Sequence, residues 1–229
     1  MRTPFLLSVV LLLLALPVSA QARSVRVAVL GDSLTAGYGL TADQSFPAQL
    51  EIALRQCGYR VEVQNAGISG DTSAGGLARL DWLLESRPDL VLVELGGNDA
   101  LRGLDPELTR VNLDAILGRL KQHGVQPLLI GMRAPRNLGR DYYTKFDRLY
   151  PELAERHGVP FYPFFLEGVA GREELNSGDG IHPNAAGIAV MVRNILPVVE
   201  RSLKLLEPLA RQRKNTSWHS PRDSREKET

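Results

Sequence analysis

Residues 25–34 read Val-Arg-Val-Ala-Val-Leu-Gly-Asp-Ser-Leu, an apolar stretch that ends in a glycine turn. The residues before the glycine have the length and the β-branched content of a buried strand. The turn then places one serine, Ser33, where a buried sheet would meet solvent. A serine hydroxyl is a weak nucleophile until a base activates it, so the stretch alone predicts a strand and a candidate site.

A second motif near the other end of the chain supplies the missing chemistry. Residues 179–183 read Asp-Gly-Ile-His-Pro, which places a carboxylate three residues before a histidine. Serine, histidine and a carboxylate are the parts of an activated nucleophile. The two motifs together predict nucleophilic catalysis at Ser33.

The candidate base is found by elimination, since the chain has four histidines. His123 and His157 each precede a glycine at a predicted helix end, where the helix C-terminus favours a histidine. His219 lies in a polar C-terminal stretch. His182 remains as the candidate general base, with Asp179 as the carboxylate that orients it.

Strand-like and helix-like stretches alternate along the chain. The predicted strands are 25–30, 60–65, 89–95, 125–132 and 159–162, and the predicted helices are 42–56, 75–85, 106–123, 140–157 and 184–206. This alternation predicts an α/β fold of three layers, a flavodoxin-like five-stranded parallel sheet with helices on both faces. In such sheets, ligands bind beyond the carboxyl ends of the strands, where Ser33 is expected.

Two further turns follow predicted strands and offer hydrogen-bond donors. Gly70 lies in Ile-Ser-Gly-Asp-Thr after the second strand, and Asn98 lies in Gly-Gly-Asn-Asp after the third. Acyl transfer needs donors for a developing oxyanion, and the Gly70 N–H, the Asn98 amide and the Ser33 N–H are candidates. Each residue also suits an ordinary turn. Their joint position after neighbouring strands favours a catalytic role.

The two ends of the chain differ from its centre. Arg2, the apolar run 5–17 and the small residues at 18–22 predict a secretory signal peptide over 1–22, cleaved after Ala20 or Ala22. We therefore expect a periplasmic or secreted protein with no stable membrane anchor after cleavage. Residues 23–208 are predicted to form one catalytic domain, and the polar stretch 209–229 is predicted to be a disordered tail.

Charge and cysteine content exclude some classes of protein. The chain has 27 basic and 26 acidic residues, and Arg2 is the only charged residue within 1–22. The remainder is formally neutral without a basic cluster in its folded part, so we expect no nucleic-acid partner. The single cysteine, Cys57, rules out an intramolecular disulfide and is expected to be a buried or half-buried structural residue. A monomer is expected.

The four motifs together resemble the SGNH hydrolases, also called the GDSL esterase/lipase family, over nearly all of residues 25–206. Gly-Asp-Ser-Leu, Ile-Ser-Gly-Asp-Thr, Gly-Gly-Asn-Asp and Asp-Gly-Ile-His-Pro appear in the family's order. The stretch 93–103 is most similar to the small periplasmic group of thioesterases, lysophospholipases and arylesterases.

The resemblance implies a Ser33–His182–Asp179 triad and an oxyanion hole made by Ser33 N–H, Gly70 and Asn98. It implies no metal and no organic cofactor, and a small-molecule acyl ester or thioester as substrate. The loop 133–140 is expected to help cover the acyl chain.

Other functions are weighed against this hypothesis. A carbohydrate O-acetyl esterase would use the same triad. The remaining alternatives are a non-catalytic exported binding domain, a phosphate-binding module, and metal-assisted hydrolysis with the candidate ligands Asp32, Asp71, Asp99, Asp179 and His182. The phosphate-binding motifs and a paired-histidine metal motif are absent from the sequence.

Overall fold

The computed structural model describes residues 23–216, with side chains as far as residue 206. The predicted signal peptide at 1–22, the last part of the predicted tail and His219 lie outside the described residues.

Within residues 23–216, five strands form one parallel sheet, and this confirms the predicted α/β fold. The strands are β1 Val25–Gly31, β2 Val61–Gly67, β3 Leu90–Glu94, β4 Gln126–Ile130 and β5 Phe161–Tyr162. Their order across the sheet is β2-β1-β3-β4-β5. Because helices cover the sheet, β3 is buried along its whole length and β1 is buried from Val27 to Gly31.

In the described part of the chain, eight α-helices connect and cover the strands. The helices are α1 Ser33–Ala36, α2 Phe46–Gln56, α3 Ser73–Ala78, α4 Leu80–Glu85, α5 Gly97–Leu101, α6 Pro106–Gln122, α7 Arg140–His157 and α8 Ala185–Thr216. One helical layer contains α2 and α8, which pack on each other, and α6 packs against α3 and α7 in another.

The sheet register brings three turns to one edge. Gly31, the last residue of β1, pairs with Gly67 of β2 on one side and with Glu94 of β3 on the other. The turns that carry Ser33, Gly70 and Asn98 therefore leave the sheet side by side. Close packing here requires Gly31, because a Cβ atom at this position would collide with Thr35 and Glu94.

The predicted helix over 75–85 is two helices in the structure. α3 ends and α4 begins at Arg79, whose backbone leaves helical geometry with φ −103° and ψ 7°. The Arg79 side chain is at the same time bonded to the sheet edge, as described below. The apolar spacing of the leucines continues through this break, so periodicity alone predicted one helix.

The final helix is longer than the apolar pattern indicated. α8 runs to Thr216, past Leu206 where the predicted helix ends. Residues 207–216 include Leu, Ala, Gln, Lys and Arg, which favour helix even without an apolar face. The backbone of 209–216 continues this helix, and the disorder predicted for the tail 209–229 stays a prediction.

Cys57 also departs from expectation. It is the residue that ends α2, and it is exposed rather than buried or half-buried. Within residues 23–216, no helix is long and apolar enough to cross a membrane.

Candidate active site

Ser33, His182 and Asp179 form a continuous hydrogen-bonded chain. His182 Nε2 lies 2.9 Å from Ser33 Oγ, and His182 Nδ1 lies 2.6 Å from Asp179 Oδ2. The imidazole therefore bridges the hydroxyl and the carboxylate through its two nitrogens. With the proton on Nδ1, held by Asp179, Nε2 is free to accept the proton of Ser33.

The Ser33 side chain is placed by the turn between β1 and α1. Asp32 is the N-cap of α1, and its Oδ1 accepts a hydrogen bond from the Leu34 N–H at 2.9 Å. This cap starts the helix directly at Ser33, at the carboxyl end of a buried strand. The serine is thus fixed at the surface by a strand on one side and a helix on the other.

The Asp179 carboxylate is held by its own loop. Its Oδ1 accepts hydrogen bonds from the backbone N–H groups of Ile181 and His182, at 2.9 and 3.0 Å. The hydrogen bond from the His182 N–H, followed by those from the His182 ring and the Ile181 N–H, holds the Asp179 pKa well below its usual range. The carboxylate therefore stays ionised throughout the pH range in which it would orient an imidazolium.

Gly70 and Asn98 lie on the same edge and are held by different partners. Gly70 has φ +80°, which glycine adopts without strain, and its carbonyl accepts a hydrogen bond from Arg102 Nη2 at 2.7 Å. Asn98, in the first turn of α5, donates from Nδ2 to Asp32 Oδ2 at 3.0 Å. The Asn98 amide is therefore oriented with its N–H groups, rather than its oxygen, towards the serine turn.

Asp32 and Glu94 are functional candidates that the sequence did not single out for catalysis. Asp32 connects Asn98 to the first turn of α1, and burial is the main reason that its pKa is raised to about 6. Glu94 lies under the same turn and is fully buried. A glutamate at the end of an apolar strand was the available signal.

Arg79 ties the loop that carries Gly70 to the sheet. Its guanidinium donates to the Gly31 carbonyl at 2.9 Å, to the Ala66 carbonyl at 2.7 Å and to Asp71 Oδ2 at 2.7 Å. The side chains of Arg79 and Asp71 are only 14% and 11% exposed. One planar cation thus joins the ends of β1 and β2 and the following loop.

Arg79→Lys is expected to lower the free energy of unfolding by about 2–4 kcal/mol, because a lysine cannot serve three acceptors in one plane and leaves buried oxygens unpaired. Denaturant unfolding followed by circular dichroism measures the loss. Arg172→Lys is the matched control, because Arg172 pairs with Glu174 where both side chains are more than half exposed. A loss no larger than that of the control would contradict the role given to Arg79.

Tyr38 covers one face of the candidate base. Its ring centroid lies 4.5 Å from that of His182, with the planes tilted by 38°. The ring itself remains half exposed. The contact limits the directions in which the imidazole can turn away from Ser33.

The loop 133–140 is anchored to neighbouring segments rather than to the triad. Arg136 lies over the Tyr143 ring and pairs with Asp147 at 2.8 Å, and Arg133 lies over Phe164. Its predicted part in covering an acyl chain stays a prediction.

The other two described histidines form hydrogen bonds with residues of α6 rather than with Ser33. His123 Nδ1 lies 2.9 Å from the Arg119 carbonyl at the end of α6, and His157 Nε2 lies 2.8 Å from Asp114 Oδ1, between α7 and α6. The His157 hydrogen bond is the main cause that lowers the Asp114 pKa. His157 joins α7 to α6, whereas His123 binds the last turn of its own helix, and both lie at helix ends as predicted.

The aspartates considered for a metal site have protein partners. Asp71 pairs with Arg79, and Asp99 accepts hydrogen bonds from Ser73 and Thr109. Among residues 23–216, no group of three or more histidine, cysteine and acidic side chains is placed to hold a metal ion.

Comparisons with known proteins bear on the family of this chain. The family model "GDSL-like Lipase/Acylhydrolase family" matches residues 29–190. Esterase TesA of Pseudomonas aeruginosa is 42% identical over 181 residues, which cover 79% of this chain and 90% of the relative. Thioesterase 1/protease 1/lysophospholipase L1 of Escherichia coli K12 is 47% identical over 157 residues, covering 68% and 74%.

A solved structure gives the same result for the fold. The crystal structure of TesA superposes with a TM-score of 0.73 at 42% identity, over 80% of this chain and 99% of that one. The predicted resemblance is confirmed in sequence and in fold. The chain belongs to the GDSL-like lipase/acylhydrolase family.

Proposed function

We propose that this protein is a serine esterase and thioesterase that hydrolyses acyl esters through an acyl-enzyme on Ser33. The observation that carries the proposal is the hydrogen-bonded series Ser33–His182–Asp179 at the carboxyl edge of the sheet. Relatives with the names esterase and thioesterase/lysophospholipase support the reaction class. Substrates of this class are small-molecule acyl esters, aryl esters, lysophospholipids and acyl thioesters.

In the acylation step, Ser33 Oγ attacks the acyl carbonyl carbon while His182 Nε2 takes the hydroxyl proton. Asp179 stabilises the resulting imidazolium through Nδ1–H. The oxyanion accepts hydrogen bonds from the Gly70 N–H, the Ser33 N–H and the Asn98 amide. His182 then protonates the leaving alcohol or thiol as the carbonyl reforms.

Deacylation repeats these steps with water as the nucleophile. His182 takes a proton from water, which attacks the acyl carbon, and the proton then returns to Ser33 Oγ as the acid leaves. The residues proposed for the cycle are Ser33, Gly70, Asn98, Asp179 and His182, without a metal or organic cofactor.

The test of this function is hydrolysis of p-nitrophenyl esters from acetyl to palmitoyl, with fluorophosphonate labelling read by mass spectrometry. We expect turnover and a covalent adduct on Ser33 that is absent from Ser33→Ala. Turnover confined to acetyl esters would instead favour a carbohydrate O-acetyl esterase. Neither turnover nor labelling would favour a non-catalytic binding domain.

Asn98→Ala is expected to lower kcat by about 10²–10³-fold, with a smaller change in KM, because it removes a donor that acts on the transition-state oxyanion. Steady-state kinetics on a p-nitrophenyl ester measures the loss. Asn194→Ala is the control, since the Asn194 amide donates to the Glu167 carbonyl on the surface. Equal kinetics for the two variants would exclude Asn98 from the oxyanion hole.

We further propose that the enzyme is exported and acts as a monomer without a stable membrane anchor. The signal-peptide pattern over 1–22 supports export. Mass spectrometry of the N-terminus of the exported protein would distinguish cleavage after Ala20 from cleavage after Ala22.

A further inference from the structure

Glu94 is a fully buried carboxyl group directly beneath the serine turn. Its side chain has no solvent exposure, and β3 ends at this residue beside Gly31 of β1. Glu94 Oε2 accepts hydrogen bonds from Thr35 Oγ1 at 2.8 Å and from the Asp32 N–H at 3.2 Å. The carboxyl group therefore holds the residues on both sides of Ser33.

The other oxygen of the same group, Oε1, is in a different environment. Glu94 Oε1 is buried without a hydrogen bond among the described residues. An ionised carboxylate in this position would leave one charged oxygen unsolvated, which costs more than leaving a neutral carboxylic acid incompletely bonded. The geometry thus favours the neutral acid.

Among the described residues, no ion pair compensates a charge on Glu94. Asp32, whose N–H binds Glu94, has a carboxyl group whose negative charge acts against ionisation of Glu94. From α7, Tyr150 is neutral and donates to the Leu95 carbonyl. Arg79 binds the Gly31 carbonyl and is paired with Asp71, and His182 acts on Asp32 from the triad loop.

Burial, and after it the charge of Asp32, raises the Glu94 pKa well above its usual range. Asp32 differs because it accepts hydrogen bonds on both oxygens, from the Leu34 N–H and from Asn98. Above about pH 6, the two neighbouring carboxyl groups therefore differ in charge, with Glu94 neutral below the turn and Asp32 ionised beside it.

We propose that Glu94 is a positioning residue that works as a neutral carboxylic acid, holding the serine turn from below while ionised Asp32 orients the Asn98 amide. The proposal rests on the proposed function of Ser33. Neutrality has a catalytic reason, because a second buried negative charge under Ser33 would oppose the oxyanion that develops above it.

The contact between Glu94 and the serine turn requires a glycine at position 31. A Cβ atom there would collide with Glu94 Oε2 and with the Thr35 hydroxyl. Because glycine has no Cβ atom, the Glu94 carboxyl group can contact the turn. The turn is therefore positioned jointly by Gly31, Thr35 and Glu94.

The test compares Glu94→Gln with Glu94→Ala and with Asp32→Asn. The amide of glutamine keeps an acceptor for Asp32 and Thr35 and is neutral, so Glu94→Gln should retain kcat within about threefold, whereas Glu94→Ala loses about tenfold or more through misplacement of the turn. Asp32→Asn should also lower kcat. The Leu34 N–H and the Asn98 amide each donate to one Asp32 oxygen, and in the variant one of these two donors faces the asparagine NH₂ group. The pH profile of kcat in Glu94→Gln should match that of the wild type.

The pH dependence of the free energy of unfolding reports the protonation state of Glu94 in the folded protein. Glu94 keeps its proton in the folded state and releases it on unfolding above about pH 4.3, so its contribution to wild-type stability falls as pH rises. The unfolding equilibrium constant of the wild type, divided by that of Glu94→Gln, should therefore rise about tenfold per pH unit from about pH 5 towards the folded-state pKa. A protonated-carboxylic-acid infrared band in the folded wild type, absent from Glu94→Gln, should accompany this.

Two results would overturn the proposal. A ratio of unfolding constants that does not change with pH would mean that Glu94 is ionised in the folded protein. A folded Glu94→Gln variant as impaired as Glu94→Ala would mean that the carboxylate itself is needed. Both readouts are separate from the labelling of Ser33, because the unfolding measurement needs no activity and a failed proposed function would leave wild-type Ser33 unlabelled.

Discussion

Replacing Ser33 or His182 with alanine is expected to lower kcat by about 10³-fold or more while leaving the fold intact. Ser33→Ala removes the atom that would form the acyl-enzyme, and His182→Ala removes the only side chain bonded to that atom among the described residues. Because the two groups act in one step, the double variant should lose no more than either single variant. Steady-state kinetics on a p-nitrophenyl ester, with circular dichroism as the check of folding, measures the effect.

His157→Ala is the matched control for the base. His157 also bonds an aspartate, Asp114, but it joins α7 to α6 rather than facing a serine. Its loss should cost about 1 kcal/mol in the free energy of unfolding, with kcat unchanged. If His157→Ala abolished turnover and His182→Ala did not, the assignment of the base would be wrong.

The sheet and the meeting of the four motifs could be predicted from the sequence because both depend on short-range patterns. Buried parallel strands are nearly continuous apolar runs, and β1 and β3 are of this kind. Once the strands are parallel, the turns after β1, β2 and β3 must leave at one edge. The placement of Ser33, Gly70 and Asn98 on that edge follows from the topology.

The support behind the serine turn could not be predicted in the same way. Glu94 and Arg79 act through contacts with residues far apart in the chain, Thr35 in one case and Gly31 in the other. A glutamate at a strand end and an arginine in a leucine-rich helix are ordinary surface residues in most sequences. Only the packed sheet edge shows that one is buried beneath the turn and that the other joins two strands.

The division of the predicted helix at Arg79 has the same origin. The apolar period continues across α3 and α4, but the backbone turns at Arg79, whose guanidinium bonds the sheet edge. Local periodicity describes which face is buried. It does not predict the hydrogen bonds between the Arg79 side chain and the strand ends, which accompany the break in the helix.

Asp179→Asn is expected to lower kcat by about 10³–10⁴-fold although it changes one atom. The asparagine oxygen can still accept from the Ile181 and His182 N–H groups, which the Asp179 Oδ1 atom does now, so the loop should keep its shape. The amide nitrogen would then face His182 Nδ1, which must become an acceptor. The ring proton moves to Nε2, where it points at Ser33 and prevents the base from taking the hydroxyl proton.

Asp114→Asn is the matched control for this change. Asp114 is also bonded to a histidine, with 2.8 Å between His157 Nε2 and Asp114 Oδ1, but this pair lies between two helices and away from Ser33. It should leave kcat unchanged, and both variants should show the circular dichroism spectrum of the wild type. A folded Asp179→Asn enzyme with nearly full kcat would mean that His182 keeps the productive tautomer without a carboxylate. Asp179 would then be a residue that shapes the loop, and the orienting group in the mechanism would have to be sought elsewhere along the sheet edge.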